Sequence, residues 1–293
     1  SLRQQVGDEE CGYGDRAPEG CKKPSREDGE KAVEEPDILD NAKLPKILLH
    51  AGIGAKGAEQ PRNVTHEDRD KHAVGVAQEK IHEEGDGGCL AVGRTLAGKG
   101  AALYRVSSRS FPNRQSVQLA NSIAIVPKPG FEQDIHKNPY IAYNCLRMAQ
   151  GLCVVSNGSH TDPVAEKLDA GMSPRDALAT VMLAMDYEHD SLDTPRITGI
   201  VSPEGAEGWL AIVRKDALIV RSFALNPGEA FYVSTYEKNV PGCDQRDGAF
   251  DVESASDACD YILGKGVFAD FERPISAACA LGNADGSFDT FFK

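Results

Sequence analysis

The chain has 293 residues and a mass of 31.4 kDa, with 45 acidic against 32 basic side chains, a formal charge of −13 and a pI near 5.0. This charge argues against a protein that neutralises nucleic-acid phosphates with a basic surface. No apolar run approaches the roughly 18 residues that a membrane helix needs, so membrane spanning is excluded. The first residues lead into acidic, glycine-rich sequence, and we therefore expect no secretory signal and a cytoplasmic location.

The cysteines and histidines show no metal-binding pattern. The chain has eight cysteines and seven histidines, yet it contains no C-x-x-C pair, no zinc-finger spacing and no H-E-x-x-H sequence. We expect free, mostly buried thiols and no metal.

The first 87 residues differ in composition from the rest of the chain. They hold 20 acidic and 13 basic residues and only one aromatic, Tyr13. Such a segment buries too little apolar surface to offset its chain entropy. We predict a polar, partly disordered extension of unknown role over residues 1–86 and a folded catalytic domain over residues 87–293.

Two pieces of this extension could order, a strand over residues 45–50 and a charged helix over residues 67–84. Residues 52–57 match G-x-G-x-x-G after the first of these. Pro61 would lie in the first turns of the helix that a dinucleotide site requires, and a glycine-rich linker is favoured instead.

The domain from residue 87 onward shows short apolar runs interrupted by helices. The first helix begins at Thr161 or Asp162 and ends before Gly171, and the second begins at Pro174 with Ser173 as its cap. A third helix covers residues 254–263 and is stopped by Gly264. This order of elements predicts an α+β layered sandwich and not a doubly wound parallel sheet. The predicted strands cover residues 89–92, 102–106, 122–126, 152–156, 197–201, 209–213, 217–221 and 231–236.

A basic and hydroxyl-rich stretch follows the second predicted strand. Strand alternation places Arg105, Ser107 and Arg109 on one face, where guanidinium groups suit a phosphate or carboxylate ligand. Surface salt bridges to nearby carboxylates are the alternative explanation.

Two further stretches carry candidate chemistry. Residues 156–162 leave a strand and enter a helix through hydroxyl and amide side chains, which could bind an anion or an amide or only form a turn. Residues 186–190 close the second helix with titratable side chains, and a carboxylate beside the negative helix end could gain a raised pKa. A solvated helix end is the other interpretation.

Cys89 follows two glycines and precedes a strand. Cleavage before it would expose the kind of thiol that N-terminal-nucleophile hydrolases use. A small buried strand residue is the favoured interpretation.

Several motifs together resemble the archaeal-type IMP cyclohydrolase family. They are YRVSSRSFPNR (104–114), NPYIAYNC (138–145), VVSNGSHTD (154–162), LAMDYEHDSLDTPRI (183–197) and STYE (234–237). The resemblance covers about residues 87–293 in order. It implies a four-layer αββα sandwich of the N-terminal-nucleophile-hydrolase type. It also implies closure of the purine ring of 5-formamidoimidazole-4-carboxamide ribotide, which gives IMP and water.

The resemblance also assigns roles to residues. Arg114, Tyr143 and Glu188 are expected to be catalytic, as the cation that polarises the formyl oxygen, a proton donor and a base or orienting group. Core packing is a second interpretation of Tyr143. The other substrate-binding candidates are Arg105, Ser107 and Arg109 for the 5′-phosphate and Asn144, Asn157, Ser159 and Asp162 for the ribose, carboxamide or base.

The reaction requires proximity, loss of an amide proton and protonation of a leaving oxygen, so we expect no metal and no organic cofactor. The expected partner is the ribotide, with no nucleic acid and no membrane, and we expect a homo-oligomer. Two alternatives stay open. One is an amidohydrolase autoprocessed at Cys89, and the other is a purine-nucleotide-binding protein without turnover.

Overall fold

The computed structural model describes residues 87–293, which form an α+β fold with two antiparallel sheets. The predicted strand over residues 45–50 and helix over residues 67–84 lie outside the described residues.

The first sheet has six strands in the order β11-β10-β1-β2-β12-β13. Each neighbouring pair is antiparallel. Its strands are β1 (Cys89–Arg94), β2 (Gly100–Ser107), β10 (Glu229–Ser234), β11 (Arg246–Asp247), β12 (Pro274–Gly282) and β13 (Phe288–Phe292).

The second sheet has seven strands that follow the chain in simple order from β3 to β9. All its pairs are antiparallel as well. Its strands are β3 (Arg114–Gln118), β4 (Ser122–Pro127), β5 (Tyr143–Ala149), β6 (Leu152–Ser156), β7 (Arg196–Val201), β8 (Glu207–Arg214) and β9 (Ala217–Ala224).

Four α-helices occur in the described part of the chain: α1 (Asp134–Lys137), α2 (Thr161–Asp169), α3 (Pro174–Met185) and α4 (Ala255–Gly264). The cap of α3 is confirmed, because the Ser173 hydroxyl accepts a hydrogen bond from the Asp176 backbone N–H at 3.2 Å. Gly264 is the last residue of α4 and not its stop, since the chain turns extended only at Lys265.

Strand alternation divides the apolar side chains between three clusters. Leu90 and Val92 of β1 face the second sheet and join the cluster between the two sheets. Cys89 and Ala91, one position out of phase, pack in a second cluster with side chains of α4. A third cluster joins the outer face of the second sheet to α2 and α3. Helices therefore cover the outer face of each sheet.

The two sheets pack tightly around Val92. A Cβ added to Gly199 of β7 would lie 2.9 Å from one methyl of Val92, and one added to Gly208 of β8 would lie 2.8 Å from the other. Both distances are too short for real carbon contacts, so these glycines form the hole that receives the valine. This contact fixes the position of β1 over β7 and β8.

Candidate active site

A pocket opens where the ends of β2, β3 and β5 meet the loop that follows α3. Its volume is about 180 Å³, and residues from both sheets line it. Arg114, Tyr143 and Glu188, the three predicted catalytic residues, all line this pocket.

Arg114 is the first residue of β3 and is 7% exposed. Its Nε donates to the backbone oxygen of Phe111 at 3.1 Å, which holds the side chain against the loop before the strand. Its charge acts on the neighbouring acids, because it lowers the pKa of Tyr143 and of Glu188 against the effect of burial. Arg114 thus supplies positive charge to the buried end of the pocket.

Tyr143 opens β5 and is hydrogen-bonded across the two sheets. Its hydroxyl lies 2.6 Å from that of Tyr104 in β2, and the rings pack edge to face. Burial raises the pKa of Tyr143 to about 12, while the charge of Arg114 opposes the rise. The phenol therefore stays protonated near neutral pH and acts as a hydrogen-bond or proton donor. Tyr143 also belongs to the core between the sheets, as its second interpretation expected, and its catalytic role stays a prediction.

Tyr104 was not among the sequence candidates. It is fully buried, lines the pocket, and has a pKa raised well above its ordinary value by burial and by the neighbouring Tyr143. When Tyr104 donates to Tyr143, the Tyr143 hydrogen is left for a ligand in the pocket. Strand alternation puts Tyr104 and Arg105 on opposite faces, but the sequence alone does not show which of the two faces the other sheet.

Glu188 lies in the loop after α3 and is buried, not solvated. It is 5% exposed, and its backbone N–H donates to the Thr194 oxygen at 2.8 Å. Its Oε1 accepts from Arg196 Nη1 at 3.2 Å, in an ion pair that is buried on both sides. Burial raises the pKa of Glu188 to about 8, the Arg196 charge opposes this, and Asp190 adds to it. The carboxyl group therefore exchanges protons close to neutral pH.

Arg196, the first residue of β7, was also missed. Its Nε donates to the Asp186 oxygen at 2.8 Å, and its guanidinium lies 5.5 Å from the centre of the Tyr140 ring. Only 4% of Arg196 is exposed, and its contacts with Asp186 and Glu188 fix the loop that carries Glu188.

Asp190 organises the same loop. Its carboxylate accepts from the backbone N–H groups of Leu192 and Thr194 and from the Thr194 hydroxyl, at 3.1, 3.0 and 2.7 Å. The Thr194 hydroxyl also lies 2.9 Å from that of Tyr236. These bonds hold the loop in the shape that places Glu188 in the pocket.

The arginine and serine cluster is divided by the structure. Ser107 and Arg109 line the pocket, together with Ser108 and Ser110. Arg105 is fully buried and does not line the pocket, and its guanidinium donates to the Phe271 and Glu272 oxygens at 2.7 and 2.6 Å. It also donates to the Ser107 hydroxyl and to two carbonyls at the end of α4. Arg105 is therefore not placed to bind a phosphate in the pocket, which corrects the expectation.

The polar candidates around α2 are divided as well. Asn157 lines the pocket, but its side-chain amide donates to the Pro195 oxygen and accepts from the Ile197 N–H, so it anchors β7. Asn144 points to the outer face and donates to both carboxylate oxygens of Asp162 at 3.0 Å. Ser159 is exposed. Asn144, Ser159 and Asp162 are not among the residues that line the pocket.

Cys89 is fully buried in the cluster under α4 and does not line the pocket. A thiol in that position cannot reach a ligand held between Arg114 and Glu188. This position agrees with the favoured interpretation of Cys89 as a small buried strand residue, and the alternative of a nucleophile there has no support from the geometry.

No three His, Cys, Asp or Glu side chains within residues 87–293 are grouped so that they could hold a metal ion. Over the same residues, no helix has the length and apolar character needed to cross a membrane.

Comparison with known proteins gives one consistent family. The model of the "IMP cyclohydrolase-like protein" family matches residues 86–286. A protein named IMP cyclohydrolase from Methanosphaera stadtmanae is 45% identical over 199 residues, 68% of this chain and 94% of its own length. Proteins of the same name from Halobacterium salinarum and Methanocaldococcus jannaschii are 44% and 42% identical, over 64% and 67% of this chain and 90% and 93% of their own lengths.

Proposed function

The chain belongs to the IMP cyclohydrolase-like family, and from this premise we propose that its pocket closes the purine ring of 5-formamidoimidazole-4-carboxamide ribotide, giving IMP and water. The observation that carries the proposal is the meeting of Arg114, Tyr143 and Glu188, from three separate elements, in one pocket. A fixed cation, a protonated phenol and a carboxyl group with a pKa of about 8 match the tasks of this reaction.

The layering also agrees with the fold that the family resemblance implies. Two stacked sheets with helices on both outer faces support a four-layer αββα arrangement, and we propose that it is of the N-terminal-nucleophile-hydrolase type. In this chain the fold would work without a thiol nucleophile, because Cys89 is buried away from the pocket.

The proposed chemistry balances as follows. The carboxamide nitrogen bonds to the formyl carbon and gives up one proton, and the formamide nitrogen gives up a second. The former formyl oxygen takes both protons and leaves as water. The substrate carries both reacting groups, so the pocket has mainly to hold them in the reactive conformation.

Each proton transfer has a candidate side chain. Ionised Glu188 accepts the carboxamide proton, Arg114 stabilises the negative charge that develops on the oxygen, and Tyr143 donates a proton to it. Protonated Glu188 then supplies the proton with which water departs, and the Tyr143 phenolate takes the proton from the formamide nitrogen, so both side chains return to their starting states. A pKa of about 8 suits both roles, because neither the acid nor the base form is rare near neutral pH.

The 5′-phosphate is proposed to bind at the Arg109 end of the pocket. A second, more open cavity of about 440 Å³ adjoins it there and shares Ser108 and Arg109. Lys128 and Arg273 line this cavity and add two positive charges in a protein whose net charge is −13. These cations replace Arg105 in the phosphate-binding role.

A direct assay tests the proposal. The purified chain is mixed with the formamido ribotide in buffer containing a chelator, and IMP formation is followed. We expect turnover by the wild type and by Glu204→Gln, a matched control at an exposed position, and a large loss in Glu188→Gln. If IMP binds but does not form, the chain is a nucleotide-binding protein without turnover, and the proposal is wrong.

The phosphate assignment has its own test. Arg109→Ala should raise KM for the ribotide with a smaller effect on kcat, and it should leave the rate with the dephosphorylated riboside unchanged. Equal effects on both substrates would refute this assignment. The cytoplasmic location and the homo-oligomer stay predictions.

A further inference from the structure

His160 lies immediately before α2 in a motif that the proposed chemistry does not use. The ring is fully buried, and its Nε2 lies 3.0 Å from the backbone oxygen of Ile197. A carbonyl oxygen only accepts, so Nε2 carries the hydrogen, and in the neutral ring Nδ1 is an acceptor. Burial, together with the charge of Arg196, lowers the pKa of His160 to about 3. The ring is therefore neutral at every working pH.

The Nδ1 atom has no hydrogen-bond partner among the described residues, although it is buried. An unsatisfied buried acceptor is costly, so its position requires an explanation. The neighbouring residue Gly158 provides one.

Three polar atoms surround the position where a side chain on Gly158 would begin. A Cβ built there would lie 2.9 Å from Arg196 Nη1 and 3.1 Å from both Glu188 Oε1 and His160 Nδ1. Because glycine has no Cβ, this position stays open between a donor and two acceptors. Two hydrogen bonds through one bridging water span up to about 6 Å, which is enough to join Nδ1 to the carboxyl group.

We propose that His160 is a positioning residue for Glu188, whose protonated carboxyl group donates a hydrogen bond to Nδ1 directly or through one water held against Gly158. This inference rests on the proposed function. When the carboxamide N–H bond breaks, the proton forms an O–H bond on Glu188, and its hydrogen bond is then received by Nδ1. No proton passes to His160, which keeps its hydrogen on Nε2.

The other groups that face Glu188 determine the direction of the effect. Arg196 of β7 and Arg114 of β3 favour the ionised carboxylate, whereas Asp190 of the same loop opposes it. The Tyr143 hydroxyl of β5 faces it as a protonated phenol. A neutral acceptor at His160 Nδ1 stabilises the protonated carboxyl group of Glu188 and so raises its pKa.

Two substitutions separate this role from a purely structural one. The side chain of His160→Gln can place its N–H group near Nε2 and keep the bond to Ile197, but it has no acceptor at Nδ1. His160→Asn can place its oxygen near Nδ1. In the proposed mechanism kcat rises with pH as Glu188 ionises. We expect the midpoint of this rise to lie about one pH unit lower in His160→Gln than in the wild type. In His160→Asn the midpoint should be unchanged. Profiles that coincide in the wild type and both variants would overturn the inference, as would the same shift in both variants.

A second measurement does not depend on activity or on these variants folding. In protein labelled with ¹⁵N-histidine, the Nδ1 signal of His160 should change as Glu188 titrates, and it should be independent of pH in Glu188→Ala. A wild-type signal that stays at the free-acceptor position at all pH values refutes the inference. A wild type without turnover refutes the proposed function, and the NMR result still decides the role of His160.

Discussion

Replacing Arg114 by alanine removes the cation that we propose stabilises the reacting oxygen. Within residues 87–293 its Nε bonds to Phe111, and no hydrogen bond is found for its two terminal nitrogens, which are therefore available to a ligand. A unit charge at about 4 Å acts with about 4 kcal/mol at an effective dielectric constant of 20, and loss of one oxyanion donor typically lowers kcat by about 10² to 10³. We expect Arg114→Ala to lower kcat at least about a hundredfold with a much smaller change in KM.

The assay is steady-state IMP formation from the formamido ribotide, with circular dichroism and thermal melting to confirm the fold. The fold should survive, because β3 is held to β4 by backbone pairing that does not use the side chain. Arg221→Ala, an exposed arginine on β9, is the matched control. Arg114→Lys keeps the charge but loses the planar fork of donors, so its kcat should lie between those of the wild type and Arg114→Ala. Near-normal turnover in a folded Arg114→Ala protein would refute the role assigned to this residue.

Four further outcomes are expected. Glu188 has a pKa of about 8, and we propose that it acts as a base; kcat/KM should therefore rise with pH through about 8, and the rise should be absent in Glu188→Gln. Because Glu188 binds its proton more tightly in the folded than in the unfolded protein, it contributes to stability. This contribution is fully present below the ordinary pKa of 4.5 and is lost as pH rises through about 8. The urea midpoint of the wild type should therefore fall over that interval more than that of Glu188→Gln, and parallel midpoints would contradict the shift. Arg105→Met should lower the free energy of unfolding by about 3 kcal/mol, since it leaves several carbonyls without their charged donor. Its kcat should be unchanged, and a selective rise in KM would restore Arg105 to phosphate binding. Asp162→Asn should keep turnover within about twofold, and a larger loss would place the Asn144–Asp162 pair in the active site.

The strands with apolar runs between turn residues were predictable. The strand over residues 152–156 has the predicted bounds, and α3 begins at the predicted cap. By contrast, β12 is rich in alanine, which has low strand propensity, and β3 is a short, polar edge strand. Both form because neighbouring strands pair with them, which local sequence does not reveal.

The candidate site, like the fold, was predictable only in part. Arg105 and Ser107 share a face as predicted, since Arg105 Nε donates to the Ser107 hydroxyl at 2.9 Å. Which face meets the other sheet depends on how the sheets stack, and for that reason Arg105 was misassigned. Asn144 could have been excluded, because it follows Tyr143 in one strand and must point the other way. The contact between Arg196 and Glu188 could not have been predicted from sequence, because it depends on the conformation of the loop that joins them.

The Tyr104–Tyr143 hydrogen bond joins one sheet to the other at the base of the pocket. Together with Val92 in its glycine-lined hole, it leaves the sheets little freedom to slide past each other. We expect substrate to enter between the two loops at the rim, residues 108–113 and 189–192, while the walls keep their spacing. Ligand binding would be fast, with little reorganisation energy, and crystals of the free and occupied protein would superimpose in their strands and differ only at the rim.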